Sequence, residues 1–196
     1  MHISGLWCQG VEYLIEETRM LVAKQVADLI TSARVLIAVF LVWIGISQGA
    51  NGLATVAWLM MTNWAGDMLD GRIARRSRVQ YRTWIGDHDL EVDTLVSAGL
   101  LVYMQQAGFV GIWTSSVYIL AWGAFFLQKG SIPSSLGMLF QAPIYSWFIW
   151  VAVRDTPKAG WAIIIFIISA VVLTWPHFPK VMVPGFLNGL RNKQSK

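Results

Sequence analysis

Six of the chain's eleven acidic residues and five of its arginines lie between Asp67 and Asp93, in the stretch DMLDGRIARRSRVQYRTWIGDHDLEVD. Asp67 and Asp70 are three apart, and Asp89 and Asp93 are four apart, so on helices each pair falls on one face. Two helices carrying such pairs can turn four carboxylates toward one point. That all-oxygen donor set suits a hard divalent cation. Apolar segments of membrane-crossing length flank the stretch on both sides. A carboxylate at the centre of a membrane helix costs roughly 2.5–3.5 kcal/mol on insertion scales, so a cluster of them marks a candidate functional site.

The first half of the stretch reads D-x-x-D-G-x-x-A-R, from Asp67 through Asp70, Gly71 and Ala74 to Arg75. At 3.6 residues per turn, Asp67, Gly71 and Arg75 follow one line, with Asp70 and Ala74 beside it. The small residues open a slot where a flat or bulky group can approach the backbone. The carboxylates can hold a metal at its edge, and the arginine can pair with a phosphate or a carboxylate. Three aspartates around one or two Mg²⁺ ions would leave a fourth to accept a proton. Phosphoryl-group transfer to an alcohol needs that division, with a metal to neutralise the diphosphate and a carboxylate to deprotonate the attacking hydroxyl.

The elements that must position these residues follow from composition and patterning. Of 196 residues, 56% are hydrophobic and 13% charged, against about 25% charged in a soluble domain. The predicted fold is an all-α integral membrane protein: six transmembrane helices in one bundle, preceded by an N-terminal amphipathic helix lying in the interface. Residues 1–27 form the juxtamembrane segment, with the amphipathic pattern over 10–26. Residues 28–179 form the six-helix catalytic domain, and 180–196 a basic cytoplasmic tail. The spans are predicted at 28–47, 51–66 (continuing as helix to about residue 80), 90–107, 112–127, 136–153 and 159–175. Asp28, Thr31 and Arg34 share one face at the start of the first. QGAN makes the first turn, Gly108 and Gly111 mark another, and Pro143 is expected to kink the fifth span.

With six spans, both termini, the loop containing residues 67–89 and Lys129 share one side, while Arg154 and Lys158 fall on the other. The excess of basic residues assigns the first side to the cytoplasm, so the carboxylates are predicted to face it. The net charge of +4 then reflects this bias and contact with anionic headgroups, not nucleic acid. Trp43, Trp150 and Trp161 are placed near the far interface and Trp84 near the cytoplasmic one, as membrane belts. The lone Cys8 excludes an intramolecular disulfide. Residues 1–26 lack the continuous apolar core of a signal peptide.

The 67–93 stretch resembles the signature of the CDP-alcohol phosphatidyltransferase family, D-x2-D-G-x2-A-R-x8-G-x3-D-x3-D. Its first half matches at every fixed position. Its last pair matches as DLEVD, followed by TLVSAG, and DLITSARVL is similar to the family's usual N-x-x-T-x-x-R opening, with Asp28 in place of Asn. The resemblance implies a homodimeric membrane enzyme of phospholipid biosynthesis. It would transfer a phosphatidyl group from CDP-diacylglycerol, or act on another CDP-alcohol, with a small alcohol as acceptor and CMP as leaving group. It implies two Mg²⁺ (or Mn²⁺) ions on Asp67, Asp70 and Asp89, with Asp93 as general base and further ligand. Thr31, Gly71, Ala74, Arg75 and Gly86 would bind the nucleotide. Lys129 and Arg82 are weaker candidates for the acceptor side.

The chain departs from the signature in the loop. The distance from Arg75 to Asp89 is one residue longer than in the family, and Gly86 stands three residues before Asp89 instead of four. Asp87 therefore competes with Asp89 as a ligand, although only Asp89 pairs with Asp93 at helical spacing. A divalent-cation transporter or channel using the four aspartates is the alternative function. Against it, the acids gather at one interface, whereas a transport site is expected near the midplane between broken helices.

Overall fold

A computed structural model describes residues 31–76, 89–129 and 134–175, together with Leu29 and Pro184, and side chains over 31–69, 90–129 and 135–175. The expected interfacial helix at 10–26, the loop holding Arg82, Gly86 and Asp87, and the basic tail lie outside the described residues. Those described are helical, with no strand among them.

Six helices follow in order: α1 over residues 31–48, α2 (Leu53–Arg76), α3 (Asp89–Gln106), α4 (Ile112–Lys129), α5 (Ser134–Asp155) and α6 (Pro157–Leu173). A short 3-10 turn, Gly49–Gly52, joins α1 to α2 at the predicted QGAN position. Gly49 has φ of 55°, a left-handed conformation that glycine adopts without a Cβ penalty. The Tyr103 hydroxyl donates to the Gly49 carbonyl at 3.3 Å and ties this turn to α3. α2 runs on past Asp67 to Arg76, about 13 Å of further helix. α5 continues through Pro143, and a single residue, Thr156, separates it from α6, whose first residue is Pro157. Proline is well placed there, because its missing N–H would have no helical partner.

Two helical stretches, Thr31–Leu69 and Ser135–Asp155, are long and apolar enough to cross a membrane, and Pro157–Leu173 is a shorter apolar helix. The first stretch is not one rod. Arg34 near the start of α1 bonds Asn63 and Asp67 near the end of α2, so the two arms fold back on each other about the Gly49–Gly52 turn.

The core is built by α1, α2, α3, α5 and α6. Leu41 and Ile44, Val56 and Met60, Leu100 and Met104, Phe148 and Val151, and Ile163 are essentially inaccessible. Close approach of α1 and α3 depends on Gly99, where a Cβ would lie 2.9 Å from the Ala38 carbonyl oxygen. α4 stands at the margin, and its one buried residue among those described is Ser115. Its Tyr118, Trp122 and Phe126 pack around Phe140 of α5. The outer helix faces expose large apolar side chains, including Trp43, Trp58, Trp150, Trp161, Ile165 and Ile168. A water-soluble monomer seldom leaves so much contiguous apolar surface uncovered.

Candidate functional site

The inner stripes of four helices change from apolar to polar at the same end of the bundle. On α1, Leu41 and Ala38 give way to Arg34 and Thr31, all buried. On α2, Val56 and Met60 lead to Asn63 and Asp67 at intervals of four, three and four, the spacing of one helical face. On α3, Leu100 and Val96 lead back to Asp93. On α5, Ala152 and Phe148 lead back to Tyr145.

Arg34 is where these stripes meet. Its side chain is 3% exposed, and its Nη1 lies 3.0 Å from Oδ1 of Asp67. Its Nη2 forms an ion pair with Oδ1 of Asp93, and its Nε donates to Oδ1 of the buried Asn63 at 3.3 Å. One planar guanidinium therefore holds carboxylates from α2 and α3, the geometry for which arginine is suited and lysine is not. The Asp67 and Asp93 side chains remain 43% and 23% exposed, so water and solutes reach both from the open end. Tyr145 closes the inner side. Its ring meets Trp64 edge-on at 5.5 Å and 86°, and it lies close to Ser97, Arg34 and Asp67. The Ser97 hydroxyl is committed to the Thr94 carbonyl at 2.9 Å.

Of the residues singled out from sequence, Asp67 and Asp93 are brought to one point, twenty-six positions apart in the chain. Thr31 is buried one turn before Arg34 on the same face of α1. Asp70, Gly71, Ala74 and Arg75 continue α2 beyond Asp67, and Asp89 opens α3 one turn before Asp93. The side chains of these five lie outside those described. Gly86 and Arg82 lie outside the described residues. Lys129 is exposed at the end of α4, its ammonium 5.8 Å from the centre of the Phe125 ring.

Two residues of the site, Asn63 and Tyr145, are not singled out by the sequence, and Arg34 is placed by spacing on one face with Asp28 and Thr31 but with no role of its own. A signal existed for two of them. Arg34 is a lone charge inside an apolar span, and Asn63 stands one turn before Asp67 on the same face. Tyr145, inside IYSWFIW, had none.

Asp67 and Asp93 converge on Arg34 through one carboxylate oxygen each, donors of the kind a hard divalent cation takes. Among the described side chains no group of three or more His, Cys, Asp or Glu gathers, Asp70 and Asp89 not being among them. No protein family, curated protein or solved structure matches the chain.

Proposed function

We propose that this chain is a membrane-embedded CDP-alcohol phosphatidyltransferase. Its six helices would be six spans, and the Asp67–Asp93 end of the bundle would face the cytoplasm. The observation that carries the reading is the junction at Arg34. The two halves of the signature, D-x-x-D-G-x-x-A-R on α2 and D-x-x-x-D on α3, meet there through Asp67 and Asp93. Exposed tryptophans and aliphatic side chains on the outer faces support burial of those faces in lipid. Homodimerisation belongs to the same proposal and rests on the family resemblance.

Asp67, Asp70 and Asp89 would hold Mg²⁺, with Asp93 adjoining. When bound, the cation supplies charge neutralisation of the diphosphate and of the departing CMP. The protein's own contributions are positional. Arg34 fixes the orientation of Asp67 and Asp93 through Oδ1 of each. Gly71 and Ala74 leave room for the nucleotide against α2, and Arg75 meets its phosphates. Asp93 takes the proton of the acceptor hydroxyl as that oxygen attacks the phosphorus on the lipid side of the donor. The phosphorus–oxygen bond to CMP breaks, and the phosphodiester lipid forms.

A fixed guanidinium at the meeting point of the acids weighs against the alternative, a divalent-cation pathway, because a permeating cation would have to pass it. Purified protein in lipid, supplied with CDP-diacylglycerol, Mg²⁺ and a panel of alcohols, should release CMP. Asp93→Asn should abolish release by at least about a hundredfold, within the range for a lost general base, with the fold retained. Unchanged release in that variant would remove Asp93 from the proposed role. Mg²⁺ flux into liposomes without nucleotide would favour the transport reading.

A further inference from the structure

The end of the bundle away from Arg34 carries three charged residues among those described: Arg154, Asp155 and Lys158. Arg154 is engaged by its neighbour. Its Nε donates to Oδ1 of Asp155 at 2.6 Å and its Nη2 to Oδ2 at 2.9 Å. Lys158 is exposed, and among the described residues it makes no ion pair. This end therefore presents one uncompensated positive charge.

The chain around Lys158 fixes its place. Only Thr156 separates α5 from α6, Pro157 opens α6, and Gly160, buried in the first turn of α6, lies directly against the backbone of Val153. Lys158 thus sits on a tight turn, and α6 packs against α2. At that contact is a cleft of about 550 Å³, lined by Ala54 and Trp58 of α2 and by Thr156, Pro157, Lys158 and Ala159. The Thr156 hydroxyl is committed to the Ala152 carbonyl at 3.1 Å. Among the lining side chains, only the Lys158 ammonium and the indole of Trp58, 59% exposed, are left to offer polar groups. Ala54 and Asp67 are separated by about 20 Å of α2, so the cleft is distinct from the acidic site.

We propose that this cleft holds an anionic phospholipid of the leaflet away from the acidic site, with Lys158 on the headgroup phosphate and Trp58 at the boundary between headgroup and chain. The proposal rests on the bundle crossing a membrane and not on the transferase chemistry. Lysine binds phosphate as a point charge, and its apolar stem can lie along the cleft wall while the ammonium reaches the interface. An indole suits the same level because its ring is apolar and its N–H polar. A soluble phosphate would use the ammonium alone and leave the wall of Ala54, Pro157 and Ala159 without a partner, so the wall favours a lipid. A zwitterionic headgroup would bring its own cation beside Lys158, so the charge favours an anionic one.

The test uses the full-length protein in vesicles that mix phosphatidylglycerol with phosphatidylcholine, one of the two carrying brominated chains, and reads tryptophan fluorescence. The difference between wild type and Trp58→Phe isolates quenching at Trp58. Phosphatidylglycerol should bind there about fivefold more tightly than phosphatidylcholine, the scale of one lysine beside an anionic headgroup. Lys158→Gln, an exposed change, should keep the fold and erase that preference, read as the difference between Lys158→Gln and the same variant with Trp58→Phe added. Inorganic phosphate in millimolar excess should leave the quenching unchanged.

Equal binding of the two lipids at Trp58 in the wild type overturns the proposal, and so does a preference that survives in Lys158→Gln. Displacement of the lipid by inorganic phosphate assigns the cleft to a soluble anion and overturns it as well. Quenching of other tryptophans with none at Trp58 sinks the lipid site alone. A protein in which no tryptophan is quenched does not enter the bilayer, and the membrane-spanning reading then falls together with the lipid site. CMP release has no part in these outcomes, so failure of the transferase reading stays distinguishable from failure of the lipid site.

Discussion

Replacing Arg34 by Met keeps an unbranched apolar stem and removes the guanidinium. Three contacts disappear: Nη1 to Asp67, Nη2 to Asp93 and Nε to Asn63. Two carboxylates are then left near each other at the end of an apolar core with no cation between them. Breaking a buried ion pair by removing one partner costs about 3–5 kcal/mol. Asp67 is 43% exposed and Asp93 23%, so water recovers part of that, and about 3 kcal/mol is the figure to test. For a domain near this size, 1 kcal/mol moves Tm by about 2–4 °C, so Arg34→Met should lower it by roughly 6–12 °C. The assay is thermal unfolding of the purified protein in detergent. The decisive arm repeats the change in an Asp67→Asn, Asp93→Asn background. There the guanidinium has lost both anionic partners, so its removal should cost little or even stabilise. An equal loss of Tm in both backgrounds would refute the ion-pair account and leave Arg34 as a packing residue.

Gly99→Val should destabilise by about 1–3 kcal/mol, because its Cβ would press on the Ala38 carbonyl and part α1 from α3. CMP release should fall with it, since Arg34 and Asp93 lie on those same two helices. A Tm equal to wild type would show that the helices are not so close. Chelation of divalent cations should abolish CMP release while leaving the helical circular dichroism signal intact, and added Mg²⁺ should restore it. Turnover that persists in chelator would remove the metal from the mechanism.

The helices were legible because long apolar runs end at recognisable stop signals. The predicted third span, 90–107, is α3 at Asp89–Gln106. The fourth, 112–127, is α4 at Ile112–Lys129. QGAN became the Gly49–Gly52 turn because no other short uncharged stretch separates the first two apolar runs. The carboxylate pairs were legible from spacing alone. Their meeting at Arg34 was not, because the register of α1 against α2 is set by the geometry of a four-residue turn and by side-chain packing, neither of which has a pattern in the chain. The share of α5 in the site was hidden for a related reason. Tyr145 stands among aromatics at ordinary helical spacing, and only the packing of α5 against α2 and α3 brings it beside Trp64, Ser97 and Arg34.

Arg34 organises the polar residues at this end of the bundle. Arg34 is buried and engaged on three sides, and slipping α2 by one residue would turn Asp67 about 100° away from it and leave a cation facing apolar groups. Pairing at Arg34 thus penalises the wrong helix registers as well as stabilising the right one, a role for which buried ion pairs are suited. Mutations at Arg34 should therefore change stability and activity together.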